Sequence, residues 1–170
     1  TNVALLPDNS TNIVVERNGT NVVVKVYPVA DMYGKTLLTF RVDDGTNSAS
    51  VTGLLTVNPV NDAPSFELAT TEVVVGTNVN ASYTNHVISA QSAGPNEVQG
   101  LKYVIVNNSN PGLFATQPAI NALTGNLTFK VKGGTVTGEA ILTIKLTDLG
   151  GTLNGGVNES PTQQLTIRVE

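Results

Sequence analysis

Apolar residues recur at alternate positions along most of this chain, and that spacing confines it to β-structure. In Leu127-Thr128-Phe129-Lys130-Val131 the residues Leu127, Phe129 and Val131 share one face, and Thr128 and Lys130 share the other. Leu165, Ile167 and Val169 alternate in the same way with Thr166 and Arg168. Each is the pattern of a strand with one buried and one wet side. The same reading places strands at 12–16, 21–27, 36–42, 48–57, 72–75, 85–89, 101–107 and 140–147. Clusters such as Asp43-Asp44-Gly45, Gly94-Pro95-Asn96 and Asn110-Pro111-Gly112 separate them as turns. Many short strands joined by such turns predict an all-β fold of Greek-key β-sandwich units.

Composition narrows the function classes. There is no Cys, so a disulfide framework, a thiolate metal site and a cysteine nucleophile are excluded. His86 is the single histidine, which excludes a multi-histidine metal centre. The net charge is -4 and the nine basic residues are scattered singly, a poor match to nucleic acid or an anionic membrane. No apolar run approaches the roughly 18 residues of a membrane span.

The segment Val57-Asn58-Pro59-Val60-Asn61-Asp62-Ala63-Pro64 interrupts the alternation. Its prolines hold the chain extended and suit a short, stiff connector. An internal repeat flanks it. Residues 21–26 lie over 126–131, 105 positions on, and 36–44 lie over 140–148 after a one-residue deletion. Two blocks in order, each ending at a turn, point to a repeated domain. The expected organisation is the C-terminal part of a sandwich over residues 1–60, a proline-containing linker at 61–64, and a complete sandwich over 65–170. The first unit then lacks its opening ~40 residues, about two strands by ordinary strand and turn lengths. It is expected to be incomplete, or to be completed by strands from another copy.

The connector, with Leu38-Thr39-Phe40-Arg41-Val42-Asp43-Asp44-Gly45 before it, resembles the junction between tandem cadherin-like or Ig-like repeats of giant bacterial surface and secreted proteins. In the second unit, Asn110-Pro111-Gly112-Leu113-Phe114 and the stretch from Asp148 to Val157 are similar to a variant of such repeats. The resemblance implies an extracellular, rod-like array that spaces other modules or mediates adhesion, in some members with calcium stiffening the joints. Animal cadherins carry Asp-x-Asn-Asp-Asn-Ala-Pro at this junction. Aligned on Ala63-Pro64, this chain has Asn58 and Asn61 at the two acidic positions, and Asp62 where the animal pattern has Asn. Its carboxylate count there is far below a full calcium clamp.

Strand directions bring the 91–100 and 148–161 loops of the second domain toward the linker. A junction calcium site from Asp31, Asn61, Asp62, Glu97 and Asp148 follows, with backbone and Asn carbonyls completing it. Asn96 and Glu159 lie in the same loops. The competing reading, favoured by the few carboxylates, takes these residues as solvated turn formers. His86 reads as a partly exposed strand residue, and no nucleophile-elbow sequence accompanies it. Gly150-Gly151-Thr152-Leu153-Asn154-Gly155-Gly156 lacks the Lys-Ser/Thr ending of a phosphate loop and reads as a long hairpin loop free to serve an interface. Tyr103 is expected in packing, and Tyr33 at an interface.

The chain is thus expected to be a non-enzymatic, extracellular spacer or adhesion module. Its partners would be neighbouring repeats of the same polypeptide, another copy through strand complementation, or a cell-surface protein or glycan. A calcium-dependent adhesion module, or a carbohydrate-binding one attached to an enzyme, is the alternative.

Overall fold

A computed structural model describes residues 2–77, 79–83 and 88–170. The chain divides into two units, Thr1–Pro59 and Val60–Glu170.

In the first unit, β1 (Ile13–Asn18) and β2 (Asn21–Val26) form an antiparallel hairpin, with Ile13 opposite Val26 and Asn18 opposite Asn21. Gly19 makes the two-residue turn at φ +64°, the left-handed backbone that such a turn requires. A second hairpin pairs β3 (Gly34–Asp43) with β4 (Ser48–Val57) along their whole length. Asp44 closes its turn: its Oδ1 accepts the backbone N–H groups of Thr46 (2.9 Å) and Asn47 (2.6 Å). Those bonds to Asn47 and Thr46 favour the charged form and hold the Asp44 carboxyl below its ordinary value. Among the described residues of this unit, the buried side chains are Leu5, Leu6 and Thr36.

The second unit carries β5 (Ser65–Leu68), β6 (Glu72–Val75), β7 (Asn80–Tyr83), β8 (Ile88–Ser92) and β9 (Lys102–Asn108). After them come β10 (Phe114–Ile120), β11 (Leu127–Val131), β12 (Gly138–Thr147) and β13 (Gln163–Val169). One sheet has the order β6-β13-β12-β9, with β6 parallel to β13 and the other pairs antiparallel; another has the order β10-β11-β7; β5 pairs with β8.

The alternation seen in the sequence fixes what these sheets bury. Leu127, Phe129 and Val131 point inward from β11, Ala140, Leu142, Ile144 and Leu146 from β12, and Leu165, Ile167 and Val169 from β13. Each fully buried aliphatic side chain stabilises by roughly 1.5–3 kcal/mol, so these rows dominate folding of the unit. Phe66, Val73, Val75, Ala81 and Tyr103 close the core from β5, β6, β7 and β9. Phe114 packs edge-on against Phe129 with ring centroids 5.6 Å apart, and Phe66 against Tyr103 at 5.4 Å. Tyr103 donates its hydroxyl to Gln91 Oε1 at 3.0 Å, and burial pushes its pKa up to about 12. Tyr103 thus takes the packing role expected of it. His86, and with it most of the expected 85–89 strand, lies outside the described residues.

Candidate functional site

The prolines of the connector keep Asn58 to Pro64 extended, and in the second unit this stretch presents Asn61 to two loops. Asn61 is 8% exposed and Pro64 is fully buried. The loop from β12 to β13 holds Asn61 from one side. Asp148 N donates to Asn158 O (3.2 Å), Ser160 N to Leu146 O (2.9 Å) and Leu146 N to Ser160 Oγ (2.9 Å). These bonds anchor the base of a long loop, and Val157 N donates to Asn61 O at 2.8 Å. The loop before β9 holds Asn61 from the other side through Gln99.

The polar centre is the Asn61 amide. Its Nδ2 donates to Asp148 Oδ1 (3.0 Å) and to the Val157 carbonyl (2.7 Å). Its Oδ1 accepts from Gln99 Nε2 at 2.5 Å. Gln99 Nε2 also reaches Glu97 Oε2 (2.8 Å), and Glu97 Oε1 accepts the backbone N–H of Asp62 (3.3 Å). Asp148, 5% exposed, accepts a further bond from Gly150 N at 2.9 Å. Its Oδ2, like Gln99 Oε1, is buried without a hydrogen-bond partner. A buried carboxylate oxygen left unpaired is costly and needs an explanation.

Gly150 makes the cluster sterically feasible. A Cβ there would fall 1.6 Å from Asn61 Oδ1 and 2.4 Å from Gln99 Oε1. Gly156 is also tightly packed, with a Cβ 3.0 Å from Asn61 N. The glycine-rich loop is therefore a hairpin loop that wraps Asn61.

Of the residues expected at a calcium site, the structure brings Asn61, Asp62, Glu97 and Asp148 into one hydrogen-bonded group. Asp31 belongs to the first unit. Glu159 turns to Lys145 Nζ at 2.6 Å and is not among these contacts. Gln99 was not anticipated, since a neutral amide carries no sequence signal of a site, and Gly150 was read only as part of the glycine-rich loop. Among the described residues no group of three or more His, Cys, Asp or Glu is placed to hold a metal ion. Calcium takes six to eight oxygens at about 2.3–2.6 Å. Asp148 Oδ2 and Gln99 Oε1 are the buried side-chain oxygens left open. Asn61 Oδ1, Asp148 Oδ1 and both Glu97 oxygens are occupied by N–H donors, so in this arrangement an amide nitrogen sits between acceptors that a cation would otherwise bridge.

No family model matches the chain, and no curated protein does. Solved structures do. Human protocadherin-24 EC1-2 superposes with a TM-score of 0.62 at 16% identity, covering 96% of this chain and 78% of that one. Drosophila N-cadherin EC1-4 gives 0.57 at 19% identity, covering 96% and 41%. The extracellular cadherin domains 1-5 of protocadherin gamma B2 give 0.52 at 20% identity, covering 93% and 30%. At such identities the likeness concerns architecture, and the architecture of this chain is all-β and cadherin-like.

Proposed function

We propose that the chain is a segment of tandem β-sandwich repeats in a large bacterial surface or secreted protein, where it spaces other domains and contributes to adhesion. The observation that carries this reading is the repetition of one strand series. β1 to β4 and β10 to β13 both run hairpin then hairpin, and the matched blocks of sequence fall on β2 and β11 and on β3 and β12. The cadherin-like fold supports an extracellular role without catalysis. A spacer needs a joint of limited freedom, and Pro59 restrains the backbone where the two units meet. Replacing Pro59 by Gly should broaden the distribution of interdomain distances in solution scattering while lowering thermal stability by no more than about 1 kcal/mol. An unchanged scattering profile would count against the spacer role.

A second reading, calcium-dependent stiffening, is favoured by the unpaired Asp148 Oδ2. Turning over the Asn61 and Gln99 amides exchanges nitrogen for oxygen with little change of shape. Asn61, Gln99, Glu97, Asp148 and the Val157 carbonyl would then offer oxygens to a cation. Asn61→Asp tests this directly, since it sets a carboxylate oxygen against Asp148 and Val157 O. In chelator the variant should melt well below the parent, and millimolar calcium should restore most of the loss. Calcium without effect on either protein removes this reading.

A further inference from the structure

The second unit displays what the first one lacks. The far edge of β11 is paired with β7, that of β12 with β9, and that of β13 with β6. Their counterparts β2, β3 and β4 have no strand on those edges among the described residues, because each hairpin of the first unit is a sheet of two. The inward rows tell the same story. Ala140, Leu142, Ile144 and Leu146 are all 0% exposed, whereas along the equivalent row of β3 exposure climbs from 3% at Thr36 to 37% at Phe40 and 73% at Val42. Val22, the counterpart of fully buried Leu127, is 59% exposed. Apolar rows of this kind beside unpaired edges are features that proteins normally cover.

The place of residues 2–6 says from which direction the cover comes. In the second unit the chain leaving β9 stays on β12: Ser109 N donates to Ile141 O (3.0 Å) and Ile141 N to Ser109 Oγ (2.7 Å). It then turns, with Leu113 N donating to Asn110 O (3.3 Å), and buries Leu113 and Phe114. In the first unit Asn2 N donates to Thr36 Oγ1 (2.9 Å), Leu6 N to Asn2 O (3.1 Å), and Leu5 and Leu6 are buried. Leu5 O accepts Val29 N just as Leu113 O accepts Lys132 N, each at 2.9 Å. Asn2 therefore lies against Thr36, one residue along β3 from Leu37, the counterpart of the Ile141 that holds the chain emerging from β9.

We infer that the first unit is completed in the same polypeptide by a segment ahead of Asn2 with the strand pattern and length of residues 65–108. Its last strand lies antiparallel along β3, an earlier one antiparallel along β2, and an opening one parallel along β4. Apolar residues equivalent to Phe66, Val73, Val75, Ala81 and Tyr103 cover Val22, Phe40 and Val42. A second copy is the poorer donor, because giving up its own residues 65–108 would strip those five side chains from its own core. The inference rests on the repeat correspondence and is independent of location and adhesive role.

Hydrogen exchange read by mass spectrometry tests it on two proteins: the chain as it stands, and the chain with a copy of residues 65–108 fused directly ahead of Asn2. In the first, amides of β2, β3 and β4 should exchange at least tenfold faster than those of β11, β12 and β13. In the fused chain they should slow at least tenfold, independently of protein concentration, with the second unit unchanged. Phe40→Asp should abolish that slowing, yet alter exchange of the unfused chain less than twofold. Equal protection of the two units in the unfused chain would overturn the inference. So would a fused chain with an intact second unit and no slowing, or slowing indifferent to Phe40→Asp. Protection that rises with concentration in the unfused chain would assign the face to a second copy and overturn it as well.

Discussion

Gly150→Ala isolates the contact on which the Asn61 cluster depends. Gly150 is not at a positive φ, so an alanine there meets no backbone penalty. Its Cβ would instead fall 1.6 Å from Asn61 Oδ1 and 2.2 Å from Asn61 Cγ, and the amide must leave. Displacement loses the bond to the Asp148 carboxylate, worth about 1.5–3 kcal/mol, and the bond to the Val157 carbonyl, worth about 0.5–1.5 kcal/mol. The strain of overpacking adds about 1–3 kcal/mol, so a loss of roughly 3–7 kcal/mol is expected. Gly151→Ala is the control. It has φ +82° and nothing within 4 Å of a built Cβ, so it should lose only the roughly 1–2 kcal/mol of left-handed backbone. Urea unfolding of the second unit's transition gives both values, and a double-mutant cycle with Asn61→Ala completes the test. Once Asn61 is truncated, Gly150→Ala has far less to collide with, and its loss should shrink by at least about 2 kcal/mol. A Gly150→Ala loss no larger than that of Gly151→Ala, or one undiminished in the Asn61→Ala background, would refute the packing argument.

Two other measurements probe the core. The Tyr103 pKa is pushed up from 10.0 to about 12 by burial. Between those values the unfolded chain has released the proton and the folded one has kept it, so stability should fall with rising pH at up to about 1.4 kcal/mol per unit. Below pH 10 it should be fully present, and Tyr103→Phe should flatten the decline in alkaline melting curves. Leu142→Ala, at a side chain with no exposure, should lose about 2–5 kcal/mol. The equivalent Leu38→Ala in the half-buried row of β3 should lose less than half as much by the same denaturation assay, and equal losses would contradict the open face of the first unit.

Much of this fold was legible because a strand with one wet face writes its burial into the sequence. The bounds read for 48–57 and 72–75 are those of β4 and β6, and the Leu127, Phe129 and Val131 row is buried as the alternation required. β10 was not read as a strand, for a physical reason. Thr116, Gln117 and Pro118 break the alternation, and its pairing with β11 shifts register twice. It survives as the edge of its sheet, where a proline forfeits no central ladder bond. β5 follows directly on Pro64 and offers only Phe66 and Leu68 as apolar residues, whereas the equally short β6 is marked by three consecutive valines. At the candidate site, loop directions sufficed to gather Asn61, Asp62, Glu97 and Asp148. What they did not convey is that an amide would bind the carboxylate, because the choice between N–H and cation is made by side-chain rotation that no spacing records.

Asp44 and Asp148 show how far a repeat can be trusted. They occupy the same place in the two units, just after β3 and just after β12, and both accept backbone N–H groups from the turn that follows. Identical local chemistry nevertheless gives opposite environments: Asp44 is exposed, while Asp148 is 5% exposed. The difference lies in the loop. Four residues separate β3 from β4, enough for a turn that the aspartate alone can close. Fifteen residues separate β12 from β13, and they fold back over Asn61, carrying Asp148 beneath Val157 and Gly150. The aspartate is thus a turn former in both units, and becomes a site residue only where a long loop supplies a roof and the connector supplies an amide. Shortening the 148–162 loop to the length of residues 44–47 should therefore return Asp148 to solvent without disturbing the β12–β13 ladder, because the local turn bonds suffice to end the strand.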